Sequence, residues 1–267
     1  MKVTAVASIA ATALLFTAIP ARSETESLNT QTAGNIGLFV SSYQYREPGI
    51  MSLKGTKTGL DLSATKAWPI KLFIRGDLRI ASGNVDYQSN GTGSARGNPD
   101  RYFEVRGLVG MDRVFEESSL SPYTGFGYRY LYDDIRGASS SGAVGYRRES
   151  NYYYLPIGLV YRKAFNDRSS LMGTLEYDQL LLGQQVSKLS DTGLGYSDVT
   201  NDQHDGYGLK FSLKYQAAAW TVGPYLYYWD IAQSNTAILY QYGSPIGYGW
   251  EPANNTIETG MMAVWQF

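Results

Sequence analysis

The residues able to do chemistry in this chain are few in kind. There is one histidine, His204, and no cysteine, so the usual zinc constellations lack their imidazole and thiolate ligands. His204 stands in the run Asp202-Gln203-His204-Asp205, and a carboxylate beside an imidazole is the pairing that general-base catalysis needs. The plain alternative is a solvated loop histidine. No serine motif stands out that would make His204 part of a hydrolytic triad. Asp191, Asp198, Asn201 and Asp202 carry oxygens of the kind calcium takes, without the spacing of a known calcium loop. No metal and no cofactor is expected.

A larger set of charges recurs inside alternating segments: Arg75, Asp77, Arg79, Glu104, Arg106, Arg129, Arg162, Glu176, Asp178, Lys210, Lys214 and Glu258. What they can do depends on the elements that carry them. Residues 206–215 show the rule. Tyr207, Leu209, Phe211, Leu213 and Tyr215 fall on one parity, with Gly208, Lys210, Ser212 and Lys214 on the other, and a strand sends alternate side chains to opposite faces. The apolar face has a tyrosine at each end and aliphatic or Phe side chains between, as in a strand crossing a bilayer with amphipathic rings at both headgroup levels. Such a strand covers roughly 27 Å at about 3.4 Å per residue, or about 19 Å along the membrane normal after a tilt near 45°.

Residues 1–23 read as a cleaved export signal, with Lys2 at the start, an apolar run from Val3 to Ile19 and small residues at Ala21 and Ser23. Cleavage after Ala21 is the neighbouring choice. Residues 24–267 form one all-β domain without a linker. Tyrosine occurs 23 times and glycine 29 times, and no later segment approaches the ~18 apolar residues of a membrane helix. A net charge of −1 argues against a nucleic-acid partner, which calls for a basic excess.

Taken in order, the chain offers about ten strands, with eight or twelve as the neighbouring counts. The first, residues 36–45, has Ile36, Leu38 and Val40 on one face but Tyr43 and Tyr45 on the other, so a bulge near Ser41 and Ser42 is expected. Leu72, Ile74, Leu78 and Ile80 then face outward on the third strand, as do Phe103, Val105, Val109 and Met111 on the fourth. Phe126, Tyr128, Tyr130 and Tyr132 follow, then Tyr153 to Tyr161, Leu171 to Tyr177, the strand 206–215, and Trp220 to Tyr228. Residues 46–56, 81–100, 133–150, 186–205 and 231–255 read as long polar loops, and short turns separate them at the opposite end. Long outer loops alternating with short periplasmic turns mark a transmembrane antiparallel β-barrel. A soluble sandwich would alternate too, but would not sort its loops by length. Pro156 and Pro224 should cause bulges or local loss of pairing.

The end of the chain carries a resemblance. Met261, Ala263, Trp265 and Phe267 share one parity, and a terminal aromatic closing such a strand looks like the signal by which bacterial outer-membrane β-barrels engage their assembly machinery. Ten strands with long outer loops are similar to the omptin proteases and to ten-stranded adhesins. Omptins use an Asp-x-His pair on the outer rim with facing aspartates across a cleft. Asp202 and His204 match the first half; for the second, Asp86 and Asp100 are present but no close Asp pair.

The expected function is non-enzymatic: an integral outer-membrane barrel whose surface loops bind or protect, or whose lumen passes small solutes, with an omptin-like endopeptidase using Asp202 and His204 as the alternative. The inward charges either fill the lumen as paired plugs or line a narrow path favouring small anions. Tyr146, Tyr240, Tyr242, Tyr248 and Trp250 offer rings for an unidentified extracellular ligand or glycan. They could equally pack the loops together or rest on lipopolysaccharide headgroups. The expected partners are outer-membrane lipid, lipopolysaccharide and the barrel assembly machinery.

Overall fold

The computed structural model describes residues 28–166 and 169–267; the expected signal segment lies outside the described residues. The elements are β1 (Ala33–Glu47), β2 (Met51–Ala67), β3 (Leu72–Ser89), β4 (Gly93–Met111), the two-residue β5 (Arg113–Val114), β6 (Ser118–Ala138), β7 (Val144–Asn166), β8 (Ser169–Lys188), a short 3-10 helix (Leu189–Thr192), β9 (Val199–Gln203), β10 (Gly206–Ala217), β11 (Trp220–Ile231), β12 (Thr236–Gln241), β13 (Ser244–Trp250) and β14 (Asn254–Gln266). Ten antiparallel strands close a barrel in the order β10-β11-β14-β1-β2-β3-β4-β6-β7-β8, and β8 pairs back onto β10. β5 and β9 are short additions to its rims, and β12 and β13 form a separate hairpin.

Closure leaves the ring without an edge and gives each strand an outer and an inner face. The outer face carries the apolar residues expected of it, among them Ile36, Leu38, Val40, Ile74, Ile80, Val105, Ile157, Leu175, Phe211 and Met261, all exposed. Aromatic rings cluster at the outer edge of this belt, where Tyr177 stacks on Tyr207 at 6.0 Å and Tyr128 lies 4.9 Å from Tyr153. An exposed apolar belt of this kind is stable only against hydrocarbon.

Above the belt the apolar phase inverts. On β3 the outward residues become Ser82, Asn84, Asp86 and Gln88 after Ile80, while Val85 turns inward and is buried. Leu53 on β2, Ile135 on β6 and Tyr43 and Tyr45 on β1 are likewise buried inside, forming one cluster with Val85. The strands therefore run on past the membrane as a water-exposed wall around a packed interior.

This inversion corrects the expected bulge at Ser41 and Ser42. The β1 register runs without a shift against both β2 and β14, and Tyr43 and Tyr45 point inward because the outside is wet at that level. It also corrects the loops. Residues 81–100 are β3 and β4 joined through residues 90–92, and residues 46–56 are β1 and β2 joined through residues 48–50. Most of 133–150 is strand as well, and the last two intervals hold β9 and the β12–β13 hairpin.

Each proline loses pairing on one side only, and the β7–β8 register also shifts between Tyr153 and Tyr154, two residues before Pro156. The β6–β7 ladder breaks between Thr124↔Ile157 and Gly127↔Tyr154, and the Thr124 hydroxyl donates to the Pro156 carbonyl at 2.9 Å. The β10–β11 ladder is interrupted in the same way beside Pro224. Glycine makes room where rings cross the inner wall: a Cβ at Gly127 would sit 2.2 Å from the Tyr154 ring.

Candidate functional site

The inward positions of β3, β4, β6, β8, β10 and β14 deliver their charges to the lumen, where they form a layer of ion pairs and hydrogen bonds. Arg79 donates to Asp61 and Glu258, each at 3.1 Å, and to the Tyr102 hydroxyl at 2.9 Å. Glu258 also accepts from Tyr102 at 2.8 Å and Tyr225 at 2.7 Å, and the Arg79 guanidinium lies 3.6 Å from the Phe39 ring centre. Beside this group, Lys210 meets Glu104 at 2.6 Å, Glu176 at 3.1 Å and Asp178 at 3.3 Å. Arg106 bridges Glu176 and Asp77, and Arg75 meets Asp77. Arg129 lies over the rings of Tyr102 and Trp229, and Trp229 packs edge-on against Tyr154. Buried charges are costly unless partnered; Arg129, whose Nε and Nη2 have no hydrogen-bond partner, has the two rings instead.

Two cavities lie on either side of the layer. The lower one, about 180 Å³, reaches the short-turn end and is lined by Arg75, Arg162 and Lys214 among others. Arg162 donates to the Ser121 hydroxyl at 2.9 Å and Lys214 rests 3.6 Å from the Met262 sulfur. Residues 29–31 also line it, where Asp112 accepts from the Thr30 backbone N–H at 2.7 Å and the Thr30 hydroxyl at 2.8 Å.

The outer cavity, about 530 Å³, opens at the far rim and is lined by Met51, Tyr87, Asn90, Ile135, Tyr146 and Trp250, together with Glu47, Arg148 and Glu251. Arg148 Nη2 donates to Glu47 at 2.7 Å, to the Tyr45 hydroxyl at 3.0 Å and to Glu251. Burial pushes the Glu251 carboxyl above its usual range, with Glu47 adding to the shift and Arg148 opposing it. These charged residues lay in stretches read as loops from the sequence. Their signal was the continuing alternation Tyr43, Tyr45, Glu47 and Arg148, Ser150, Tyr152.

The rim residues singled out for catalysis are not brought together. Asp202 and His204 lie on the outward parity of β9 and the residues just after it, with His204 exposed. The Asp202 side chain accepts from Gln184 at 3.4 Å. Asp86 faces outward from β3, with β4, β6, β7 and β8 between it and β9, and accepts from the Gly97 N–H at 2.9 Å. Asp100 is buried inside and paired with Lys57.

The calcium candidates have other partners. Arg147 clamps Asp191 through Nε and Nη2, both at 2.7 Å, and holds its carboxyl well below the usual range, at about 2. Asp198 accepts from Ser190 at 2.6 Å, and Asn201 donates to the Asn235 carbonyl at 3.0 Å. Among the described residues no three acidic, His or Cys groups are gathered as a metal site would need. Tyr240, Tyr242 and Tyr248 stand exposed on the β12–β13 hairpin. The Tyr242 ring lies so close to Gly195 that a Cβ there would be 2.4 Å away, and Gly195 has φ +82°, so only glycine suits that position.

No family model and no curated protein sequence matches the chain. Among solved structures, the outer membrane protease OmpT from Escherichia coli superimposes with a TM-score of 0.59 at 13% identity, covering 90% of this chain and 100% of that one. The fold is that of an outer-membrane β-barrel. The barrel is more loosely similar to the transport unit of the autotransporter AIDA-I from Escherichia coli, with a TM-score of 0.40, 10% identity and coverage of 96% of this chain and 94% of that one. The Pseudomonas putida toluene transporter TodX gives a TM-score of 0.36 at 8% identity, covering 89% of this barrel and 90% of that chain. Only the first likeness bears on the fold.

Proposed function

We propose that this barrel is an integral protein of the bacterial outer membrane that works by binding at its outer mouth and passes no solute. The observation that carries the reading is the layer between the two cavities, where Arg79, Tyr102, Arg129, Tyr154, Lys210 and Glu258 are all buried. Aqueous channels belong to larger barrels, and small ones fill with side chains. The water-exposed wall above the belt serves to hold the mouth and its hairpin away from the lipid.

Export by a cleaved segment at residues 1–23 and insertion through the terminal aromatics belong to the same proposal. Trp265 and Phe267 lie 5.2 Å apart, and Phe267 exchanges backbone hydrogen bonds with Gly34 at 2.9 and 3.0 Å. The last residue thereby seals the seam between β14 and β1. The endopeptidase alternative keeps only Asp202 and His204 as its support.

Because the chain has no cysteine, single cysteines report on orientation. In intact cells an impermeant maleimide should label Tyr242→Cys on the hairpin and should reach Ile70→Cys, at the short-turn end, only after the cells are opened. In liposome swelling assays the folded barrel should admit no pentose or small amino acid. Labelling at Ile70→Cys in intact cells, or swelling, would overturn the proposal.

A further inference from the structure

We infer that the lower cavity binds a small oxyanion of the phosphate or sulfate type, entered from the short-turn end. The inference goes beyond the mouth-binding reading and does not rest on it. Three cations line this cavity from separate strands: Arg75 on β3, Arg162 on β7 and Lys214 on β10. Arg162 and Lys214 both stand level with Met172 on β8, one strand to either side of it. Their backbones are thus about 10 Å apart, twice the spacing of neighbouring strands, and Arg75 enters from the opposite side of the ring. All three are half-buried and border open space.

What selects an anion is the shortage of acceptors. Among the described residues, Arg162 makes one side-chain hydrogen bond, to the Ser121 hydroxyl at 2.9 Å, and Lys214 meets only the Met262 sulfur at 3.6 Å, a weak acceptor. Asp112 is reached from Arg162 only through Ser121, which donates to it at 2.6 Å. Arg75 meets Asp77 through Nε, and its two Nη groups have no acceptor among the described residues. The carboxylates that line the cavity are taken: Asp61 accepts from Arg79, and Glu176 from Arg106, Tyr123 and Lys210. Arg129, also short of acceptors, is enclosed by rings and lines neither cavity.

Like charges facing one another in a bore shielded from bulk water repel more strongly than at an open surface. Water alone would satisfy their hydrogen bonds and leave that repulsion. An oxyanion answers both needs, since guanidinium forks hold it through paired N–H···O bonds and an ammonium adds a point charge. The volume of about 180 Å³ lies below the ~300–1,000 Å³ of drug-sized sites, which suits a small ion with its waters.

The test titrates the full folded barrel in detergent with inorganic phosphate and with sulfate in a calorimeter, with chloride at matched ionic strength as the reference. Arg162→Gln and Lys214→Met each remove one cation, and because neither strips a carboxylate of its partner, both should keep the gel shift of a folded barrel. Arg136→Gln, exposed at the far rim, is the control. The expected result is saturable binding of phosphate or sulfate, at least about tenfold weaker in either lumen variant, unchanged in the control and weakened by added sodium chloride. Phosphate should also raise the temperature at which the wild-type barrel loses its gel shift, since a ligand that binds only the folded state stabilises it. No saturable binding, an equal response to chloride, wild-type affinity in both lumen variants, or loss of the folded form in both would overturn the assignment.

Discussion

Arg79 on β3 and Glu258 on β14 meet at 3.1 Å inside the lumen, with β1 and β2 between their strands. Both are buried, and the carboxylate is completed by two tyrosine hydroxyls. The pair ties distant sectors of the wall together.

Breaking that pair should cost more than its net worth. Glu258→Ala leaves a buried guanidinium short of a partner, and removing one member of a buried pair typically costs about 3–5 kcal/mol. Urea unfolding of the refolded barrel in lipid should register a loss of that order. Glu258→Gln, which keeps an acceptor, should lose less. Equal small losses in both would show that the network contributes little.

The upper edge of the membrane belt can be located on β3 alone. Ile74 lies within the belt and Ser82 above it. Arg on a lipid face near the midplane costs about 2–4 kcal/mol, so Ile74→Arg should destabilise the inserted barrel by about that much. Ser82→Arg faces water and should stay within about 0.5 kcal/mol of wild type. Similar penalties at both sites would place the belt edge higher than the phase inversion implies.

That inversion explains what the sequence made legible and what it hid. Within the membrane, Leu209, Phe211 and Leu213 alternate with Gly208, Lys210, Ser212 and Lys214, so strands, faces and the inward charges could be read directly. Above it, both faces of β3 carry short or polar residues such as Ser82, Gly83 and Asn84, and turn-forming composition masks a strand. Tyr43 and Tyr45 keep the alternation but change which face is apolar, which a single-phase reading turns into a bulge. The outer cavity was hidden for the same reason, since Glu47, Tyr87, Arg148 and Glu251 all fall in the stretches read as loops.

Acid should act oppositely on the two outer segments. Asp191 has a folded pKa of about 2, below its ordinary value. Its clamp on Arg147 is therefore fully effective above about pH 4, the ordinary aspartate range, and is lost as pH falls through about 2. Glu251 is raised, so its contribution is full below the ordinary glutamate value of about 4.3 and is lost as pH rises through its folded pKa. After correction for the intrinsic pH dependence of amide exchange, protection at residues 189–192 should fall on acidification and protection at residues 250–254 should rise. Parallel responses would contradict these assignments.

His204→Ala should leave folding unchanged, since the ring is exposed. Should any peptide cleavage be detected with purified barrel, retention of that activity in His204→Ala would exclude the Asp202 and His204 mechanism, and its loss would support the endopeptidase alternative.

The most direct test of the central claim is single-channel conductance in a planar bilayer, using protein whose folding is verified by gel shift. A lumen closed by Arg79, Glu258, Lys210 and their partners should give no steady current at any moderate voltage. Reproducible steady conductance from the wild-type barrel, anion-leaning or otherwise, would contradict a closed lumen.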